Sequence, residues 1–125
     1  MRGFFFLKYL AGNLLFVIFV SNNNYNMRQT TKTSSGTSFH GTTIEATPNQ
    51  LIKVLGEPES MSNDGQDKTN FDWTMETETG DVVTIYDWKY YHQLEMDTIY
   101  EWHIGGKGKT GTEVAANEIK QLLNN

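Results

Sequence analysis

Asn70-Phe71-Asp72-Trp73-Thr74-Met75-Glu76, Thr77-Glu78-Thr79-Gly80-Asp81 and Val82-Val83-Thr84-Ile85-Tyr86-Asp87-Trp88 run on from one another, and how they are read decides the fold. Phe71, Trp73 and Met75 alternate with Asp72, Thr74 and Glu76. A period of two with one apolar face is a half-buried strand. Glu78 to Asp81 supplies a turn, and Val82 to Trp88 returns as the hairpin partner. Val83 and Ile85 fall on one face of that return strand, with Val82, Thr84, Tyr86 and Trp88 on the other. Both faces are largely apolar, so the strand is expected at the centre of the sheet or covered on both sides.

Working outward, Lys89 to Thr98 reads as a polar and aromatic connection, and Ile99 to Ile104 as a last strand with Tyr100, Trp102 and Ile104 on one face. Gly105 to Gly111 is a glycine and lysine loop, after which Thr112 is expected to cap a helix. Ala115, Ile119, Leu122 and Leu123 give that helix a narrow buried stripe, suited to lying on a sheet. Upstream, Ser38 to Ala46 carries Thr42, Thr43 and Ile44 and reads as a short edge strand. Thr47-Pro48 opens a two-turn helix with Leu51, Ile52, Val54 and Leu55 as its apolar side, closed by Gly56 and Pro58. Glu57 to Lys68 is loop, with a turn at Asn63-Asp64-Gly65. The predicted order is β-α-β-β-β-α. This is an α+β domain with an antiparallel sheet of about four strands and two helices on one face. The edge at Ser38 to Ala46 offers a way to pair with a second copy, so a homodimer is one expectation.

The chain has 125 residues and a formal net charge of −5. From Ser38 onward there are six lysines against fifteen acids, a formal charge of −9. Such a domain repels nucleic-acid phosphates, and a basic protein surface suits it better. No cysteine is present, which excludes disulfides, thiolate nucleophiles and cysteine-ligated zinc, and fits a reducing compartment.

Residues 1–26 differ from the rest. Gly3 to Val20 is apolar except for Lys8, Tyr9 and Asn13, and the polar run Ser21 to Asn26 follows. Three readings compete. A signal peptide lacks an A-x-A-like site, because Phe19-Val20-Ser21 puts a bulky ring there. A membrane anchor through residues 3–20 is short and needs Lys8 to reach an interface. In the third reading translation starts at Met27, and the protein is then cytoplasmic. A membrane partner is expected only if residues 1–20 are translated. Met27 to Thr37 reads as a flexible polar linker.

Several constellations suggest chemistry. Gly105-Gly106-Lys107-Gly108-Lys109-Thr110-Gly111 lies between a predicted strand and a predicted helix, as a phosphate loop does. The first glycine of G-x-x-x-x-G-K-[ST] falls on His103, however, so this is not a P-loop. A weaker anion site remains, built from Lys107, Lys109, Thr110, backbone N–H groups and a helix start, beside Trp102 or His103. The acids from Asp64 to Asp81 lack the D-x-[DN]-x-[DN]-G spacing of a calcium loop. His40, His92 and His103 have no metal-ligand spacing, and no serine sits in a nucleophile elbow. No cofactor, metal or catalytic residue is expected. The rings Trp73, Tyr86, Trp88, Tyr90, Tyr91, Tyr100 and Trp102 exceed what one face of a small sheet can bury. Some must be exposed, and Trp88, Tyr90, Tyr91 and His92 are the candidates for partner contact.

Gly41-Thr42-Thr43-Ile44-Glu45-Ala46-Thr47, Gln50-Leu51-Ile52-Lys53-Val54-Leu55-Gly56-Glu57-Pro58, Thr84-Ile85-Tyr86-Asp87-Trp88-Lys89 and Trp102-His103-Ile104-Gly105-Gly106 together resemble a group of small uncharacterised proteins encoded by bacteriophages and related bacterial elements. That resemblance covers about half of the chain and implies no activity, cofactor or site. It implies a start near the first strand. Leu55-Gly56-Glu57-Pro58, closing a helix before three antiparallel strands, is similar in layout to outer-membrane assembly lipoproteins of the BamE type. The lipobox cysteine and a second early helix are missing, so that likeness is architectural. Together these readings lead to a non-enzymatic binding protein of phage or mobile-element origin, contacting a host or phage protein through an aromatic and acidic surface. The alternatives are a binder of a small anion such as a nucleotide or phosphate, and a membrane-tethered accessory domain.

Overall fold

A computed structural model describes residues 27–125, and the expectations placed on residues 1–26 lie outside the described residues. Six strands and two helices follow one another as β1 (Arg28–Gln29), β2 (Ser38–Ala46), α1 (Pro48–Leu55), β3 (Ser60–Met61), β4 (Phe71–Glu76), β5 (Val82–Tyr86), β6 (Tyr100–Gly106) and α2 (Lys109–Leu123). They form one antiparallel sheet in the order β1-β4-β5-β6-β2, with β3 also paired to β4. The α+β class stands, but the sheet has six strands rather than four, and the element order changes with them. Both additional strands are two residues long, too short for a period of two to show.

The two short strands share the outer edge of β4. Arg28 and Gln29 pair with Glu76 and Met75, while Ser60 and Met61 pair with Asp72 and Phe71. They cover an edge that would otherwise be open for association. The segment read as a flexible linker is therefore fastened at its start. Gln29 Nε2 donates to the carbonyls of Leu55 and Glu57, at 3.1 and 2.8 Å. Arg28 and Lys32 both pair with the Glu76 carboxylate, at 3.0 and 2.8 Å. The Lys32 hydrogen bond, with the Arg28 and Lys32 charges, holds the Glu76 carboxyl below its usual range against the cost of burial. Because β1 and β2 lie on opposite edges, residues 30–37 must cross the sheet. Lys32 and Thr33 line a cleft with Gly80 and Gly106, and Ser34 lines a groove with Thr74 and Thr84 on the face away from the helices.

The other face is the core. Trp73 and Trp102 pack edge to face with centroids 5.8 Å apart, and Phe71 joins them. Ile44, Met75, Val83, Ile85 and Ile104 complete the sheet side, covered by Leu51 and Leu55 of α1 and by Ala115 and Ile119 of α2. Each buried indole N–H has a carbonyl partner at 2.8 Å, Gly56 for Trp73 and Ala46 for Trp102. α1 begins as the sequence indicates: Thr47 accepts from the Gln50 N–H while the Gln50 side chain accepts from the Thr47 N–H.

α2 does not begin at Thr112. Its first residue is Lys109, Gly108 is the cap, and Thr112 lies buried in the first turn. The Thr112 hydroxyl donates to the Lys109 carbonyl at 2.6 Å and lies 2.7 Å from the Thr42 hydroxyl, so it ties the helix to β2. Gly105 and Gly106 belong to β6 because neighbours occupy the space of a side chain. A Cβ on Gly106 would lie 2.8 Å from the Thr112 methyl, and one on Gly105 would lie 2.6 Å from Thr84 Oγ1. β5 is central, as expected, but among the described residues no helix covers its second face.

Candidate functional site: the open face of the sheet

Strand alternation places Asp72 and Thr74 of β4, Thr84 and Tyr86 of β5, and His103 of β6 on the face away from the helices. Register aligns them across the sheet. Ser60 is opposite Asp72, Asp72 opposite Tyr86, Tyr86 opposite His103, and His103 opposite Thr43. At the next row Thr84 faces Gly105, which has no side chain, and Gly105 in turn faces Phe39. The register of β2 shifts between Phe39 and Thr43, where Gly41 adopts φ 91°. That bulge re-aims Phe39, whose ring stacks on the His103 imidazole at 3.9 Å.

Trp88 completes the group. Its ring lies 5.9 Å from Tyr86 and 6.1 Å from His103, and Tyr86 meets His103 edge-on at 5.5 Å. Phe39 and Trp88 remain 43% and 39% exposed, so the cluster is accessible from solvent. Trp88 lies just beyond β5, yet its backbone is fixed on both sides. The preceding Asp87 is buried and accepts from the backbone N–H of Asn70 and Phe71 and from Asn70 Nδ2, at 2.8 to 3.0 Å. The following Lys89 donates its N–H to the Lys68 carbonyl at 2.7 Å and adopts φ 60°. A non-glycine residue in that region is strained, and Tyr91 at φ 57° is another. Strain held by buried hydrogen bonds presents Trp88 in a set position.

Electrostatics mark the same row. Burial pushes the Asp72 carboxyl up, and the nearby Glu59 and Asp87 carboxylates push it further. Burial also raises the Tyr86 phenol. Burial lowers the His103 imidazole, with Glu101 opposing the change, so His103 is neutral near pH 7. Desolvation combined with specific charge neighbours is what nominates this row as a candidate site.

The residues singled out from sequence do not stay together. Of the partner-contact set, Trp88 joins the open face. Tyr90 packs against the core and exchanges hydrogen bonds with the Glu101 backbone through its hydroxyl. His92 packs against Tyr90 and Tyr100, while Tyr91 is exposed with no ring neighbour within the described residues. The proposed anion set is split. Trp102 is fully buried, which removes it from any surface ligand, and His103 belongs to the open face. Lys109 reaches the His40 carbonyl and pairs with Glu113, whereas Thr110 is exposed in the first turn of α2. Lys107 alone lines a cleft of about 740 Å³, with Lys32, Asp81, Gly108 and Gly111. Among the described residues no three His, Asp or Glu side chains gather as metal ligands, and no helix is long and apolar enough to cross a membrane. Sequence reasoning missed Phe39, Asp72 and Glu59 as site residues. The alternation of β4 and β5 did carry a signal for Asp72, since it falls on the same face as Tyr86.

No protein-family model, no curated protein and no solved structure matches the chain.

Proposed function

We propose that the chain is a non-enzymatic binding protein, of bacteriophage or mobile-element origin, that docks a host or phage protein on the open face of its sheet. The origin rests on the sequence resemblance. The docking surface rests on one observation: four rings, Phe39, Tyr86, Trp88 and His103, are packed on one another outside the core and left open to water. Aromatic side chains supply large contact area at little entropic cost, and a strained, hydrogen-bonded backbone holds them ready. The test is a photo-crosslinking residue at position 88, in the protein expressed from its own gene, compared with one at Lys120 on the exposed side of α2. Docking gives one discrete adduct from position 88 and none from position 120. Adducts from neither, or equally from both, would refute it.

The cleft at Lys32 and Lys107 favours a second reading, a small-anion site. Asp81 counts against it, because its side chain lies within 3.5 Å of where a Cβ on Gly111 would stand, in the first turn of α2. An anion there would meet a carboxylate. A rise in melting temperature with phosphate or a nucleotide, lost in Lys32→Ala/Lys107→Ala, would favour this reading.

A further inference from the structure

Between β3, β4 and β5 the open face carries a groove of about 500 Å³. Tyr86 and Trp88 line it together with Glu59, Asp72 and Thr74, and Ser34 borders it. Asp72 and Tyr86 are directly opposed across β4 and β5, so a carboxylate and a ring are neighbours on one surface. Glu59 is fixed, because Thr74 Oγ1 donates to its Oε1 at 2.6 Å. Among the described residues neither Glu59 nor Asp72 forms an ion pair, and the Asp72 carboxylate takes no hydrogen bond. Lys68 and Lys89 stand over the Trp88 ring, 5.7 and 5.4 Å from its centre, so that ring already attracts cations. Among the described residues the two carboxylates that line the groove with Tyr86 have none.

We infer that this groove is a slot for an arginine side chain of the docked partner, with its guanidinium stacked on Tyr86 and hydrogen-bonded to Asp72 and Glu59. The inference rests on the docking reading above and adds the chemistry of the partner. Arginine suits the slot better than lysine. Its planar guanidinium lies flat on a ring while its N–H groups fork toward two acceptors, and an ammonium is a compact, strongly hydrated point charge. Charge complementarity acts at both scales, because the domain from Ser38 onward carries −9 and the groove holds two carboxylates with no ion pair among the described residues. Burial and the neighbouring acids disfavour the Asp72 charge in the free protein, so a bound cation relieves a penalty already present.

The probe is Nα-acetylarginine amide, titrated into the isotope-labelled full chain and followed by nuclear magnetic resonance. Saturable shifts are expected at the Trp88 indole and at the Asp72 and Tyr86 amides. Nα-acetyllysine amide should bind more weakly, and Nα-acetylleucine amide should leave these signals unmoved. Asp72→Asn should weaken the arginine probe at least fivefold while melting no lower than the parent chain, which separates loss of binding from loss of fold. Shifts that fail to saturate, that spread over the whole acidic surface, or that persist undiminished in Asp72→Asn would overturn the slot. If the position 88 adduct also forms undiminished in Asp72→Asn, docking stands and the arginine slot alone falls. If no adduct forms in either protein, the docking reading falls.

Discussion

Trp102 and Trp88 lie on opposite faces of one sheet, in surroundings of different kinds. Trp102 is out of water, its indole N–H is satisfied by Ala46, and its ring touches Trp73 and Phe71 beneath two helices. Trp88 has comparable ring contacts, with Tyr86 and His103, yet it is 39% exposed and no helix among the described residues covers it. Ring packing by itself therefore does not distinguish a core from an open face. The distinction comes from what covers the rings and from whether the nearby polar groups are satisfied. On the helix side the indole N–H groups have carbonyl partners. On the open side Asp72 takes no hydrogen bond or ion pair among the described residues.

The largest test of this contrast is a pair of truncations. Trp102→Ala should destabilise the fold by about 3–5 kcal/mol, as large aromatic deletions in cores do. Trp88→Ala should cost about 1 kcal/mol or less, as is usual away from the core. Denaturant melts of the two variants measure the difference, and equal costs would erase it. Next comes Asp87→Ala, which leaves three donors without their buried acceptor and should cost about 2–4 kcal/mol. Hydrogen exchange should then speed up from Asp87 to Leu94, where the connection hangs on Asn70 and Asn63.

A smaller effect of opposite sign is expected on the open face. The folded protein holds the Asp72 carboxyl above its ordinary value, so its charge is a cost at neutral pH. Asp72→Asn should therefore raise the melting temperature slightly at pH 7. A raised folded-state value means the penalty is absent below the unfolded value of 3.8, so the gain should vanish there. An advantage that persisted at acid pH would point to another cause. The subtlest effect concerns His103, whose titration should fall below the ordinary 6.5 because the surrounding rings desolvate it. Phe39→Ala removes the ring stacked on it and should bring the midpoint back toward 6.5, read from the imidazole carbon-bound proton signals.

Much of the covered face was legible because its signals are local. Alternation over Phe71 to Glu76, the Thr47-Pro48 helix start and the Ala115 to Ile119 stripe each fall within one element. Strands β1 and β3 were not legible, since two residues carry no period and Arg28-Gln29 has the composition of a linker. Their pairing is decided by distant partners, Glu76 and Asp72 among them. The start of α2 was misplaced for a related reason. Thr112 looks like a cap, but its hydroxyl is committed to Thr42, 70 residues earlier. The site was half visible. Trp88 stood out by type, and Tyr86 and Asp72 share a face by parity. Phe39 reaches His103 only through the register shift at Gly41, which the pattern of Ser38 to Ala46 does not reveal.

Carbene footprinting of the purified chain and of the same chain in its native cell extract would show whether the open face is covered in the cell, because it labels exposed side chains on every face at once. Phe39 and Trp88 should lose label in the extract while Glu113 and Lys120 on α2 keep theirs. Protection of α2, or of the Lys107 to Gly111 cleft, with Phe39 and Trp88 still fully labelled would contradict docking on the open face.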